Sequence, residues 1–156
     1  MKITDILQGA CVTSDLEANK KEEVIEELVE FLLKNKKITD KKKIVNILVE
    51  REKLGSTGIG YGIAIPHGKS DHVDKLVAVF GRSKKGVDFD SLDGESVHLF
   101  FLLITPEKEA SGLHLKALAR ISTLLKDKLF RQQLLNAKNA KEIFEFIKKE
   151  DNKKDS

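Results

Sequence analysis

Hydrophobic and polar positions along this chain change period twice. Over the first third the period is helical: Val24, Ile25, Leu28, Phe31 and Leu32 recur at the spacing that puts one helix face on a core. Asn19-Lys20-Lys21-Glu22 reads as a capping-box variant, which places Asn19 at the cap of this helix. A second helix is predicted to start near Thr39 or Asp40, to bury Ile44, Val45 and Leu48, and to stop before Gly55. The middle of the chain reads instead as strands. Ile63-Ala64-Ile65 is a short apolar run ending at Pro66, and Leu76 to Phe80 and Val97 to Ile104 are longer candidates. The last of these is apolar on both alternating faces, the pattern of a strand buried inside a helix-covered sheet. Gly86 to Glu95, rich in Asp and Gly, is predicted to be loop.

Beyond Pro106 the helical period returns, with Leu115, Leu118, Ala119 and Ser122 on one face. Asp127 and Asn139 are candidate caps for two further helices, the second with Glu142 at the capping-box position. From Lys148 onward almost every residue is charged or polar, and this end is expected to fray. Helices, then strands, then helices predict an α/β fold: a single domain over residues 1–148, a mixed β-sheet flanked by helices, and a charged tail over 149–156.

Composition narrows function more than fold. The 156 residues are 40% apolar, enough for one sizeable core. The 28 basic and 25 acidic side chains nearly cancel, and with one Tyr and no Trp nothing suggests base stacking, so no nucleic-acid partner is expected. The longest apolar run, Leu99 to Ile104, falls far short of the ~20 residues that span a bilayer, and the start of the chain lacks a secretory pattern. These features predict a soluble protein that does not insert in a membrane. Cys11, the single cysteine, excludes an internal disulfide, fits a reducing cytosol, and reads as a buried strand thiol between Ala10 and Val12.

Four of the eight residues from Gly55 to Gly62 are glycine, a stretch expected to form no regular element. It invites two nucleotide readings that spacing removes. In a phosphate-binding P-loop the second glycine would stand where His67 is, and a dinucleotide fingerprint starting at Gly58 would need glycine at Ile63. Metal binding fares no better, because among His67, His72, His98 and His114 no pair has the four-residue helical offset of a zinc site, and there is no cysteine pair. What remains is His67 at the end of an apolar strand, fixed by Pro66 and followed by Gly68. Ser56 and Thr57 in the adjoining loop offer donors suited to phosphate oxygens. A neutral imidazole is nucleophilic, and attack on phosphorus would give a phosphohistidine.

The segment Arg51-Glu52-Lys53-Leu54-Gly55-Ser56-Thr57-Gly58-Ile59-Gly60-Tyr61-Gly62-Ile63-Ala64-Ile65-Pro66-His67-Gly68-Lys69 closely resembles the active-site segment of enzyme IIA proteins. These belong to the bacterial phosphoenolpyruvate-dependent phosphotransferase system, in its fructose/mannitol class, which includes the nitrogen-regulatory branch. Weaker resemblance extends through Asp88-Phe89-Asp90, the Val97 to Ile104 strand and His114-Leu115.

The resemblance implies a cytoplasmic α/β phosphocarrier with no metal and no organic cofactor. An HPr-type phosphocarrier protein would donate the phosphoryl group to His67, and an enzyme IIB cysteine would accept it for sugar uptake of the fructose type. In the nitrogen branch the phosphorylation state of the histidine would instead control a regulatory target protein. No fused IIB or membrane IIC domain follows in this chain, an arrangement compatible with either branch. His114 matches the second active-site histidine, and its rival reading is a helix-start histidine bonded to backbone. Arg51 matches an arginine that would neutralise the phosphoryl oxygens, against a rival reading as a helix-end cation on C-terminal carbonyls. His72 and His98 match no site and are expected to be structural or surface residues. A histidine-based phosphatase is the enzyme-class alternative.

Overall fold

The computed structural model describes residues 1–154. Two 3₁₀ turns, Ile3–Asp5 and Gly9–Cys11, lead into a short strand, β1 (Val12–Thr13), and then two helices, α1 (Lys21–Lys34) and α2 (Lys41–Lys53). Five strands follow: β2 (Gly58–Gly60), β3 (Ile63–Ala64), β4 (His67–Ser70), β5 (Val77–Val87) and β6 (Val97–Pro106). Helices α3 (Leu113–Leu125), α4 (Lys128–Asn136) and α5 (Ala140–Lys153) complete the described chain. The sheet is mixed, in the order β1-β5-β6-β3-β2 with β4 also on β6. The fold class is the one the alternation of periods predicts.

Strand β6 organises everything. Antiparallel β5 lies along one side of it; along the other, β3 and then β4 run parallel to it in succession. Ile65 and Pro66 interrupt that second side, yet Leu103 N still donates to Pro66 O at 2.9 Å, so pairing resumes at once with His67 beside Leu103. Among the described residues no further strand pairs with the outer edge of β4. Helices cover both faces, as the unbroken apolar run of β6 requires. At Gly81 a Cβ would stand 2.7 Å from Leu28 of α1, whereas the next residue, Arg82, reaches the opposite face. There its Nη1 donates to Leu134 O (2.9 Å) and Ala137 O (2.6 Å) at the end of α4, while Nε donates to Ser14 O (3.0 Å). A fully buried guanidinium thus sits on the negative end of a helix dipole.

Several local expectations are revised. The cap of α1 is Lys20, not Asn19: Lys20 stays extended (φ −115°, ψ 147°) because its backbone bridges to Asp88. The cap of α2 is Asp40, whose side chain accepts from Lys43 N; Ile44 and Leu48 are buried, but Val45 is only partly so. The glycine-rich stretch does contain a strand. Tyr61 (φ 58°) and Gly62 (φ 75°) make the tight reversal that lets β2 fold back on β3. Strand β5 runs beyond Phe80, through polar residues to Val87, because Arg82 and Ser83 are buried by helix carbonyls and by His98 rather than by apolar packing. Cys11 is buried as expected, but in a 3₁₀ turn rather than a strand.

On α3 the residues sunk in the core are Ala117, Ile121, Leu124 and Leu125, so the face through Leu115, Leu118, Ala119 and Ser122 is not the core face. Asp127 and Asn139 cap α4 and α5 as their types suggest. The expected fraying from Lys148 does not occur up to Lys153. Ile143, Ile147 and Asp151 follow one another at four-residue spacing on the buried face of α5, and Asp151 takes a 2.7 Å bond from Arg120 Nε. Residues 155–156 of the expected tail lie outside the described residues.

Candidate active site

His67 opens β4 at the free edge of the sheet, and a cleft of about 560 Å³ lies against it. The last turn of α2 (Arg51, with Leu54 just beyond it) forms one wall, and the first turns of α3 (His114, Leu115, Leu118) form the other. Leu103 and Thr105 of β6 stand beside His67 and Lys69 of β4 in register and line the same space. The rim is apolar and open, with Leu54 85% and Leu115 61% exposed.

The His67 ring is oriented by one bond: Nδ1–H donates to Ile65 O at 2.9 Å. A carbonyl can only accept, so the neutral ring carries its proton on Nδ1 and its lone pair on Nε2. Burial pushes the imidazole pKa below the usual histidine value; the Arg51 guanidinium and His114 push the same way, against the Ile65 carbonyl and Glu52. The result is a neutral ring with its nucleophilic lone pair on Nε2.

Of the six residues singled out from sequence, the structure brings His67, His114, Arg51 and Gly68 to this cleft. His114 lies in the first turn of α3, where the positive end of a helix dipole favours an anion. Its Nδ1 is buried without a hydrogen-bond partner, so the backbone bond of the rival reading is not made. The start of α3 is held instead by Glu109, which accepts from Ser111 N (2.8 Å) and Leu113 N (3.0 Å). Arg51 does both things considered for it: Nη1 donates to Gly55 O at 2.9 Å just past α2, and the residue lines the cleft. At Gly68 a Cβ would stand 2.8 Å from Ile47 Cγ2, so glycine here lets α2 approach β4.

Ser56 and Thr57 are not brought to the cleft. The Ser56 hydroxyl donates to Phe89 O (2.6 Å) and accepts from Gly58 N (3.0 Å). The buried Thr57 hydroxyl donates to Glu52, whose carboxylate also accepts from Thr57 N (3.2 Å) and pairs with Lys21 Nζ at 2.8 Å. Their donors hold the loop to its neighbours. His72 lies 3.3 Å from Asp71 and His98 Nδ1 donates to Ser83 O, neither at the cleft. Sequence reasoning did not single out Glu52, Lys69 or Thr105. Glu52 had a signal, since it continues the Ile44–Leu48 buried stripe by one more helical step. Among the described residues no group of three or more His, Cys, Asp or Glu side chains is placed to hold a metal ion, and no helix is long and apolar enough to cross a membrane.

Residues 5–150 match the family model described as phosphoenolpyruvate-dependent sugar phosphotransferase system, EIIA 2. The chain belongs to this family. It is 43% identical over 151 residues to the fructose-specific EIIABC component of Bacillus subtilis, covering 97% of this chain but 24% of that protein, so it spans about a quarter of that relative's length. It is 38% identical to a nitrogen regulatory protein of Bradyrhizobium diazoefficiens, covering 94% of this chain and 95% of that one. The crystal structure of nitrogen regulatory protein IIA-Ntr from Neisseria meningitidis superposes with a TM-score of 0.85 at 34% identity, over 93% of this chain and 98% of that one. The relatives thus include both a fructose-specific EIIABC component and nitrogen regulatory proteins.

Proposed function

We propose that the chain is a phosphocarrier in which His67 Nε2 accepts a phosphoryl group from an HPr-type protein and passes it to an enzyme IIB. The observation that carries this reading is the Nδ1–H···Ile65 bond, which leaves the Nε2 lone pair free on a ring that lines one cleft with Arg51, Lys69 and His114. The N–P bond of the donor phosphohistidine breaks as the bond from phosphorus to Nε2 forms. The lone pair returns to the donor ring, and the Nδ1 proton of His67 stays in place. Arg51 and the first turn of α3 offset charge on the three phosphoryl oxygens, the usual role of fixed positive groups in such transfers. The exposed Leu54 and Leu115 give a protein donor an apolar rim on which to seat.

An enzyme IIB as acceptor draws support from the solved complex of Escherichia coli IIA-mannitol with phosphorylated IIB-mannitol, whose IIA has the same fold (TM-score 0.78, 24% identity). The second reading, a nitrogen-regulatory enzyme IIA whose phosphorylation state controls a partner protein, draws on the full-length likeness to the nitrogen regulatory proteins. Both readings use the same His67 chemistry and place it in the cytoplasm.

Incubation with phosphoenolpyruvate, enzyme I and HPr is expected to give an acid-labile phosphoprotein, with no label on His67→Ala. Undiminished labelling of that variant would remove His67 from the role. Chase of the label onto a IIB cysteine decides for the transport reading; retention of the label, with a partner protein bound in only one phosphorylation state, decides for the regulatory one.

A further inference from the structure

Among the described residues, two buried polar atoms of the cleft have no hydrogen-bond partner. Thr105 is 3% exposed, and its Oγ1 has no partner; His114 Nδ1 is likewise enclosed and unpartnered. Buried polar side-chain atoms are nearly always paired, and leaving one unpaired is unfavourable, so two in one cleft ask for an explanation. Their chemistry is complementary: a hydroxyl is a rotatable donor, and an imidazole nitrogen without a proton is an acceptor. Thr105 stands beside Lys69 in the β4–β6 register, on the strand that also carries Leu103 next to His67, and His114 enters the same space from α3. Neither atom reaches solvent, so water in the open cleft is not what satisfies them.

We propose that Thr105 is the positioning residue for His114: its hydroxyl donates to Nδ1 and thereby keeps the His114 proton on Nε2. The reason this matters rests on the phosphocarrier reading. Phosphoryl oxygens are acceptors only, so an Nε2 that carries a proton can bond to them and one that carries a lone pair repels them. Thr105 acts through the ring, as the orienting third group does in nucleophile–base constellations. In this structure the two atoms are not bonded to one another.

The test is a long-range ¹H–¹⁵N spectrum of the histidine rings at pH 8 in the full chain, for the wild type, Thr105→Val and Thr105→Ser. Valine keeps the shape and removes the donor; serine keeps the donor. The wild type and Thr105→Ser are expected to show His114 with its proton on Nε2 and a hydrogen-bonded Nδ1. Thr105→Val is expected to show a tautomer mixture and to accept phosphoryl from phospho-HPr between about 3-fold and about 10-fold more slowly, the factor set by one ordinary hydrogen bond. Serine is expected to restore the rate. Under the proposal valine gives up one ordinary hydrogen bond, so Thr105→Val is expected to melt a few degrees below the wild type and still be folded at the assay temperature, and recovery of rate and tautomer in Thr105→Ser separates positioning from folding. An unmoved His114 signal in Thr105→Val overturns the proposal, even if transfer slows. If wild-type His67 takes no label, the phosphocarrier reading falls, while the spectra still decide whether Thr105 and His114 are paired.

Discussion

His67 and His98 make the same first contact and lead opposite lives. In each, Nδ1–H donates to a backbone carbonyl: Ile65 O at 2.9 Å for His67, Ser83 O at 2.8 Å for His98. Both rings are thereby held in one tautomer with Nε2 unprotonated. The difference lies at the far side of the ring. His98 packs against Gly86, where an added Cβ would stand 2.9 Å from Cε1 and 3.0 Å from Nε2, and Gly62 lies against its Cδ2 edge. His67 instead lines a cleft shared with Arg51, Lys69 and His114. A carbonyl contact sets which nitrogen holds the proton, and what stands opposite decides whether the other nitrogen is packing or chemistry.

The sharpest way to break this comparison is to exchange the losses. His67→Ala should reduce labelling by phospho-HPr to background and, giving up its carbonyl bond alone, lower stability less than His98→Ala does. His98→Ala should label normally and unfold with about 1–2 kcal/mol less stability, since it loses a carbonyl bond and its packing on two glycines. Denaturant titration alongside labelling reads both, and equal effects of the two variants would erase the distinction. Arg51→Gln comes next. Removing a cation from the phosphoryl oxygens should slow acceptance between about 10-fold and about 100-fold, read by rapid-quench labelling, and a rate within twofold of wild type would confine Arg51 to its Gly55 contact.

Gly86→Ala tests the packed ring from its other side. Alanine must adopt φ +86° and place Cβ against His98, which should destabilise by about 2 kcal/mol, or roughly 4–8 °C in Tm, with labelling intact at low temperature. The smallest effect is with pH. His67 has its pKa lowered by burial, so the neutral ring persists below pH 6.5 and acceptance should stay flat through that pH, then decline at lower values. The sign for stability follows from the same shift: the folded state holds fewer protons on His67 than the unfolded chain, so His67 contributes a loss of stability as pH falls below about 6.5. His67→Gln should lessen that acid-side loss in urea titrations at pH 5 and 7.

Much of this was legible along the chain, because apolar periodicity reports burial directly. The α1 and α2 faces, the doubly apolar β6 and the caps Asp40, Asp127 and Asn139 all follow from it. Several misses share a cause, namely polar residues that are buried because a specific partner meets them. Glu52 and Asp151 each continue a helix's buried stripe by one more step as a carboxylate answered by a cation, Lys21 in one case and Arg120 in the other. Arg82 extends β5 past its apolar part in the same way, answered by carbonyls. On α3 the apolar face with Leu115 and Leu118 lines the cleft, while Ala117, Ile121, Leu124 and Leu125 are the residues sunk in the core. Ser56 and Thr57 had the right chemistry for a phosphate contact, but Phe89 O and Glu52 engage their hydroxyls, and no local pattern announces either partner.

At the seam between β5 and α4 a single planar group joins stretches of chain far apart in sequence. Arg82 holds Ser14 through Nε and the Leu134 and Ala137 carbonyls through Nη1. The first stretch lies beside β1 and the second at the end of α4, so neither can open alone without stranding a buried cation. One side chain thus makes the beginning and the end of the chain a single cooperative unit with the middle of β5.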